Sequence, residues 1–238
     1  MDMENDMKTP RPQPNPDPVP GSSANVLDLC CPCSSDIDIG HIAHHLALLN
    51  QFGGFTQRPY SFAEHALLAT EIAERAFGLT HPATLMGCLL RDAHAAYVGD
   101  GRTPVAHVGG EQAACLQYRV QAAIRRRFAL KAVSAGFAHV INEAYLAAQA
   151  TVQRDIAVER LRRLADGTQP AEWMSLHDRS GLTWHDWRQA FFDRFNELQF
   201  ARNLLTADKS PAGPRKGQRQ DVAVPINAPP ADRSASGP

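Results

Sequence analysis

The chain has 238 residues, a formal net charge of −1, 44% hydrophobic and 21% charged residues. That balance argues against a dedicated nucleic-acid binder, which carries a clear basic excess. No apolar run approaches the roughly 20 residues of a membrane span, and the acidic stretch Met1 to Asp6 lacks the charged-then-apolar layout of a signal peptide. A cytoplasmic location without membrane association is therefore the expectation.

The expected elements run as follows. Proline occupies every second position from Pro10 to Pro20, which removes backbone donors and predicts an extended, solvated segment. Residues 1–36 are expected to form a disordered tail. Cys30, Cys31 and Cys33 fall at its end and lack the second ligand pair of a zinc site. They read as reduced thiols, the alternative being a site completed by His41, His44 or His45. Residues 38–50 place Ile39, Ile42, Leu46 and Leu49 at helical spacing. Residues 51–60 hold Gly53, Gly54 and Pro59 and form a loop. Ser61 to Glu64 reads as a capping box, opening a helix with Leu68, Ile72 and Ala76 on one stripe and an end near Gly78. Pro82 opens a helix through Leu85 and Leu89 to about Tyr97, and residues 99–110 form a loop. Helices are expected over about 111–130, 134–150 and 153–165. Thr183 caps a last helix with Trp187, Phe191, Phe195 and Leu198 on one face. Residues 209–238 are rich in Pro, Gly, Ser, Ala and charge, too poor in large apolar groups to offset the entropy of ordering. The expectation is an all-α domain over residues 37–207 between two disordered tails, 1–36 and 208–238. The basic runs Arg125 to Arg127 and Arg162-Arg163 read as solvated helix faces.

The chemistry centres on a few polar residues at apolar positions. His65 shares a face with Leu68 and Ile72, so its imidazole points inward. Asp92 shares a face with Leu85 and Leu89, and an inward carboxylate needs a partner because an unpaired buried charge is very costly. Arg91 lies about 100° round the same helix and can reach the same pocket from its rim. His94 lies about 200° from Asp92 and is expected to face away. Asp100 and Arg102 follow in the loop. A lone inward histidine is ordinarily a hydrogen-bonded core residue. The combination of His, Asp and Arg is less easily set aside.

The stretch 37–104 contains Asp38-Ile-Gly-His-Ile-Ala-His44, Gln51-Phe-Gly-Gly54, Arg58-Pro-Tyr-Ser-Phe-Ala-Glu-His65, Leu89-Leu-Arg-Asp-Ala-His94, Tyr97-Val-Gly-Asp100 and Thr103-Pro104. Glu143-Ala-Tyr145, Thr151-Val-Gln-Arg-Asp155 and Arg194-Phe-Asn-Glu-Leu198 follow. In order and spacing these segments resemble the HD-domain phosphohydrolases of the 5′-deoxynucleotidase type. The resemblance implies an HD-domain helical bundle, a divalent metal held by two histidines and two aspartates, and hydrolysis of a nucleotide phosphate ester by metal-activated water. The first histidine falls on His65 and the first aspartate on Asp92. The histidine of the His-Asp pair falls on Arg91, and the last aspartate on Tyr145. The water-activating glutamate falls on Ala95, and a histidine usual after Gly-Gly falls on Phe55. Asp100 matches a catalytic loop aspartate, and Arg58 matches a basic position near the substrate phosphate.

Two of four metal ligands are thus replaced, and an arginine has no lone pair to offer a metal. Two histidines, two aspartates and a divalent ion sum to zero charge, and so do neutral His65, Arg91, Asp92 and Tyr145. Arg91 is expected to pair with Asp92 in place of the metal, and Arg91 and Arg58 are the candidate phosphate binders. The leading expectation is a phosphohydrolase-like protein without a metal cofactor, impaired in hydrolysis, with a nucleotide or phosphate as its ligand. One alternative is an active hydrolase with a rebuilt centre holding manganese, cobalt, magnesium or a similar ion. Another is a non-catalytic interaction scaffold. Association of the chain with itself stays open.

Overall fold

A computed structural model describes residues 19–20, 26–100, 110–158 and 167–208. Among them are eight α-helices: α1 (Ile39–Leu48), α2 (Phe62–Arg75), α3 (Pro82–Leu89), α4 (Ala95–Val98), α5 (Gly110–Arg127), α6 (Lys131–Gly136), α7 (Ala138–Asp155) and α8 (Trp184–Asp208). The only strands described are the two-residue antiparallel pair β1 (Val19–Pro20) and β2 (Val26–Leu27). The all-α expectation therefore holds. No described helix is long and apolar enough to cross a membrane.

The long last helix α8 is the spine, packing against α1, α2 and α3, while α2 also lies along α7. Its stripe Trp187, Phe191, Phe195 and Leu198 is buried as its spacing predicts. Phe191 is fully buried, worth about 1.5–3 kcal/mol relative to exposure. Thr183 and Asp186 cap this helix reciprocally, each backbone N–H donating to the other's side chain at 2.7 and 3.4 Å. Ile42, Leu46, Leu68, Ile72 and Leu89 meet it in one core. At Gly87 a Cβ would come within 3.3 Å of Ile141 Cδ1, so the missing side chain is what allows α3 to approach α7 closely.

Four expectations are corrected. The capping box at Ser61 is one-sided: the hydroxyl accepts from the Glu64 N–H at 3.1 Å, but the Glu64 carboxylate turns to Arg58. The helix expected from Pro82 to Tyr97 breaks after Leu89, and turns carry residues 90–94 into α4. The helix expected over 134–150 divides at Phe137 and then runs on to Asp155. Residues 156–158 are not helical. Ala157 bridges Thr56, and the Gln57 N–H donates to the Ile156 carbonyl at 2.8 Å. The remainder of the expected helix, 159–165, lies outside the described residues, with Arg162 and Arg163. So do Arg102, Thr103 and Pro104, and residues 209–238 of the expected tail.

The tail boundary after residue 36 falls inside packed chain. Leu27 is 1% exposed and joins the core. Three arginines of α5 hold the segment after it by its carbonyls: Arg119 donates to Cys30 at 3.1 Å, Arg126 to Pro32 at 3.3 Å and Arg127 to Ile37 at 3.3 Å. Composition hides this because the anchors are backbone oxygens. Leu27→Ala should therefore lower unfolding free energy by about 2–5 kcal/mol, the usual range for truncating a buried leucine. Urea titration measures it, and an unchanged midpoint would show that this segment does not dock.

Candidate functional site

The loop between α1 and α2 sets one wall of the site. Asn50 bridges Ser61, and the Gln51 N–H donates to the Tyr60 carbonyl at 2.8 Å, closing the loop on itself. Inside it Phe52 takes φ 59, a strained left-handed conformation for a bulky residue. The loop delivers Tyr60, fully buried, whose hydroxyl lies 3.0 Å from His65 Nδ1. Burial pushes the Tyr60 phenol well above its ordinary value, so it stays a neutral partner for the imidazole.

His65, in the first turn of α2, is 2% exposed, and its ring packs edge-on to Tyr145 of α7 with centroids 4.7 Å apart. Over the Tyr145 ring lies the Arg91 guanidinium, 3.6 Å from the centroid, a cation–π contact. Arg91 Nη1 donates to Asp92 Oδ1 at 2.9 Å, and Nη2 to Asn142 Oδ1 at 3.1 Å. The Tyr145 hydroxyl accepts from Gln51 and Gln149, each at 3.3 Å. His65, Arg91, Asp92 and Tyr145 therefore line one small slot, although they come from α2, the α3–α4 turn and α7. The slot opens beside a cavity of about 310 Å³ whose polar wall includes Arg91, Asp92, His94, Asp100, Gln117 and Gln149.

Two expectations about individual residues fail. His94 does not face away: the break after α3 reverses the helical arithmetic, and His94 lines the cavity, its N–H and Nδ1 both at Gln121 Oε1, 3.1 and 3.2 Å away. Arg58 does not line the cavity. It grips Glu64, which has no side-chain exposure, through two bonds of 2.8 and 2.7 Å, and donates to the Leu176 carbonyl at 3.0 Å. Burial raises the Glu64 carboxyl above its ordinary value, and Arg58 opposes that. The arginine's fork is occupied by this internal carboxylate rather than turned to a ligand. Arg154 and Asp155 are likewise a brace. Arg154 clasps Asp155 at 2.6 Å and donates to the Ala171 carbonyl at 3.1 Å, while Asp155 accepts the Leu176 N–H at 2.9 Å.

The donor set does not suit a divalent ion. One of Asp92's oxygens is taken by a guanidinium, and Tyr145 presents its ring face to that same cation. Among the described residues no three His, Cys, Asp or Glu side chains are grouped to hold a metal. That covers Cys30, Cys31 and Cys33, which are exposed free thiols, and the three histidines of α1. Gln117, Gln149 and Asn142 were not anticipated from sequence. Gln117, Gln121 and Arg125 recur at four-residue intervals along α5, a polar stripe that was legible but unmarked.

The α1 histidines form a separate cluster. His41 stacks on His45 with centroids 4.1 Å apart and on Tyr97 at 5.5 Å, and His44 meets Trp184 edge-on at 5.4 Å. Burial is the main cause holding the His41 and His45 imidazoles below 6.5; neighbouring histidines add to it, and Asp38 opposes it at His41. With folded pKa values below the unfolded one, the unfolded chain takes up protons first as pH falls. Stability is thus complete above about pH 6.5 and declines as pH drops through the folded values. Melting temperature should fall between pH 7 and 5, and His41→Gln should flatten that slope. A slope unchanged by the substitution would remove His41 as its source. For Arg91→Ala, the expected loss is about 1–3 kcal/mol, between surface and buried ion pairs, because the side chains of the pair keep 29% and 21% exposure. Adding Asp92→Ala should soften the loss, as measured by chemical denaturation.

No family model matches the chain. An uncharacterized protein of Rhodobacter capsulatus is 38% identical over 113 residues, 47% of this chain and 58% of that protein. The chain thus spans little more than half the length of that relative.

Proposed function

We propose that the chain is a non-hydrolytic relative of the HD-domain phosphohydrolases that binds a nucleotide. In this reading Arg91 supplies covalently the positive charge that a divalent ion supplies in those enzymes. One observation carries the proposal. The Arg91 guanidinium rests on Asp92 and on the Tyr145 ring, with His65 packed edge-on to that ring. These are the four positions at which the resemblance expects metal ligands. A guanidinium fixed by a carboxylate, an amide and an aromatic face is a permanent cation that needs no loading.

The adjoining cavity is about 310 Å³, at the lower end of the range for small-molecule sites. Gln117 and Gln149 on its wall offer amide donors and acceptors suited to a base or sugar, and Arg91 offers a donor for a phosphate oxygen. Turnover is not expected. The position of the water-activating carboxylate is Ala95, which lines the cavity with a methyl group.

The test is metal analysis of protein purified without chelator, with a screen of deoxynucleotides for phosphate release and for binding. Wild type should carry no stoichiometric divalent ion and release no phosphate. Arg91→His with Tyr145→Asp should restore four donors and measurable metal affinity. Adding Ala95→Glu should then raise turnover, since general-base help is worth about 10²–10⁴-fold. One ion per wild-type chain, or phosphate release that Arg91→His abolishes, would overturn the proposal in favour of a rebuilt hydrolase.

A further inference from the structure

Arg91 borders a second cavity on its other side. This one is about 190 Å³, enclosed between α3, α5 and α7. Its polar lining is Arg91, Gln121, Arg125 and Asn142, over an apolar floor that includes Leu90 and Ile141. No Asp or Glu lines it. We propose that this cavity binds a small phosphate dianion between Arg91 and Arg125.

The arginine run of α5 divides by direction, because successive helical residues point about 100° apart. Arg126 and Arg127 turn to the carbonyls of Pro32 and Ile37. Arg125 turns the other way, onto the face of Gln121 four residues earlier, and into the cavity. Its guanidinium has no hydrogen-bond or ion-pair partner among the described residues. A half-buried cation at a concave site without a carboxylate is unbalanced until an anion enters. Asn142 gives its Oδ1 to Arg91, so what it has left for a ligand is its NH₂ donor. Gln121 is already tied to the Leu90 carbonyl at 2.8 Å and to His94, and so acts as a fixed wall.

Two guanidiniums and an amide donor suit a tetrahedral dianion with several acceptor oxygens better than a lone carboxylate. The volume lies below the range usual for drug-sized ligands, which selects a compact phosphate and leaves no room for a nucleic-acid strand. The site is distinct from the proposed nucleotide cavity and does not rest on the hydrolase resemblance. Arg125 lines this cavity and not the other, so it is the discriminating position.

The experiment is calorimetric titration of the full chain with inorganic phosphate at low ionic strength, with a nucleoside 5′-monophosphate and the bare nucleoside as parallel arms. Wild type should bind inorganic phosphate. Arg125→Ala should weaken it about ten- to a hundredfold, the worth of a charged hydrogen bond, and Arg125→Lys should fall between. Melting of the ligand-free variants should match wild type, because Arg125 braces nothing. Affinity for inorganic phosphate should decline as pH drops below neutrality, where the dianion takes up a proton and loses half its charge. A nucleotide that binds equally well to wild type and Arg125→Ala occupies the other cavity. That result, with phosphate still sensitive to Arg125, would uphold both proposals separately. No phosphate binding by wild type at millimolar concentration, equal phosphate affinity in Arg125→Ala, or affinity independent of pH would overturn the dianion site.

Discussion

A guanidinium held where three helical segments meet governs this structure. Arg91 leaves the turn after α3, lies over the ring of Tyr145 of α7, and donates to Asp92 and Asn142. A partly buried charge needs partners, since removing water from an ion is costly. The neighbouring choices follow from that demand. Asp92 neutralises the cation, Asn142 takes a second donor, and the Tyr145 ring covers the guanidinium. Gly87, one turn earlier, lets α3 and α7 close to the distance at which this clamp can form.

The same economy recurs in the rest of the polar interior. Arg58 with Glu64, and Arg154 with Asp155, each join a carboxylate to loop carbonyls between residues 171 and 176. Their geometry is that of tie-rods. The histidines of α1 follow a different rule. They are packed as aromatic discs, and their polarity is a liability when they gain protons.

Most of the helical architecture was readable from the sequence. Apolar spacing in α1, α2 and α8 set out the buried stripes, and Ser61, Pro82 and Thr183 marked true helix starts, because these signals act within one turn of chain. The break after Leu89 was not readable. Nothing in Leu-Arg-Asp-Ala-His forbids a helix, and it is the tertiary anchoring of Arg91 and His94 that turns the chain there. His94 was consequently assigned to the wrong side. Convergence of His65, Asp92 and Tyr145 came from a resemblance in motif order rather than from local pattern. The role of Arg58 was missed for a similar reason: a sequence cannot show which carboxylate reaches a guanidinium first.

The seam between α5 and the segment from Cys30 to Ile37 is made from arginine side chains on one side and main-chain oxygens on the other. Every residue type carries the same carbonyl, so these three bonds ask nothing of the side chains they hold, although Ile37 is also fixed by its own burial in the core. The clamp is different, because each bond depends on a long side chain that carries a donor. Exchange of the three thiols at residues 30–33 should leave the seam intact. The seam is therefore lopsided in what it asks of the chain: main-chain oxygens from the segment that is held, long cationic side chains from the helix that holds it.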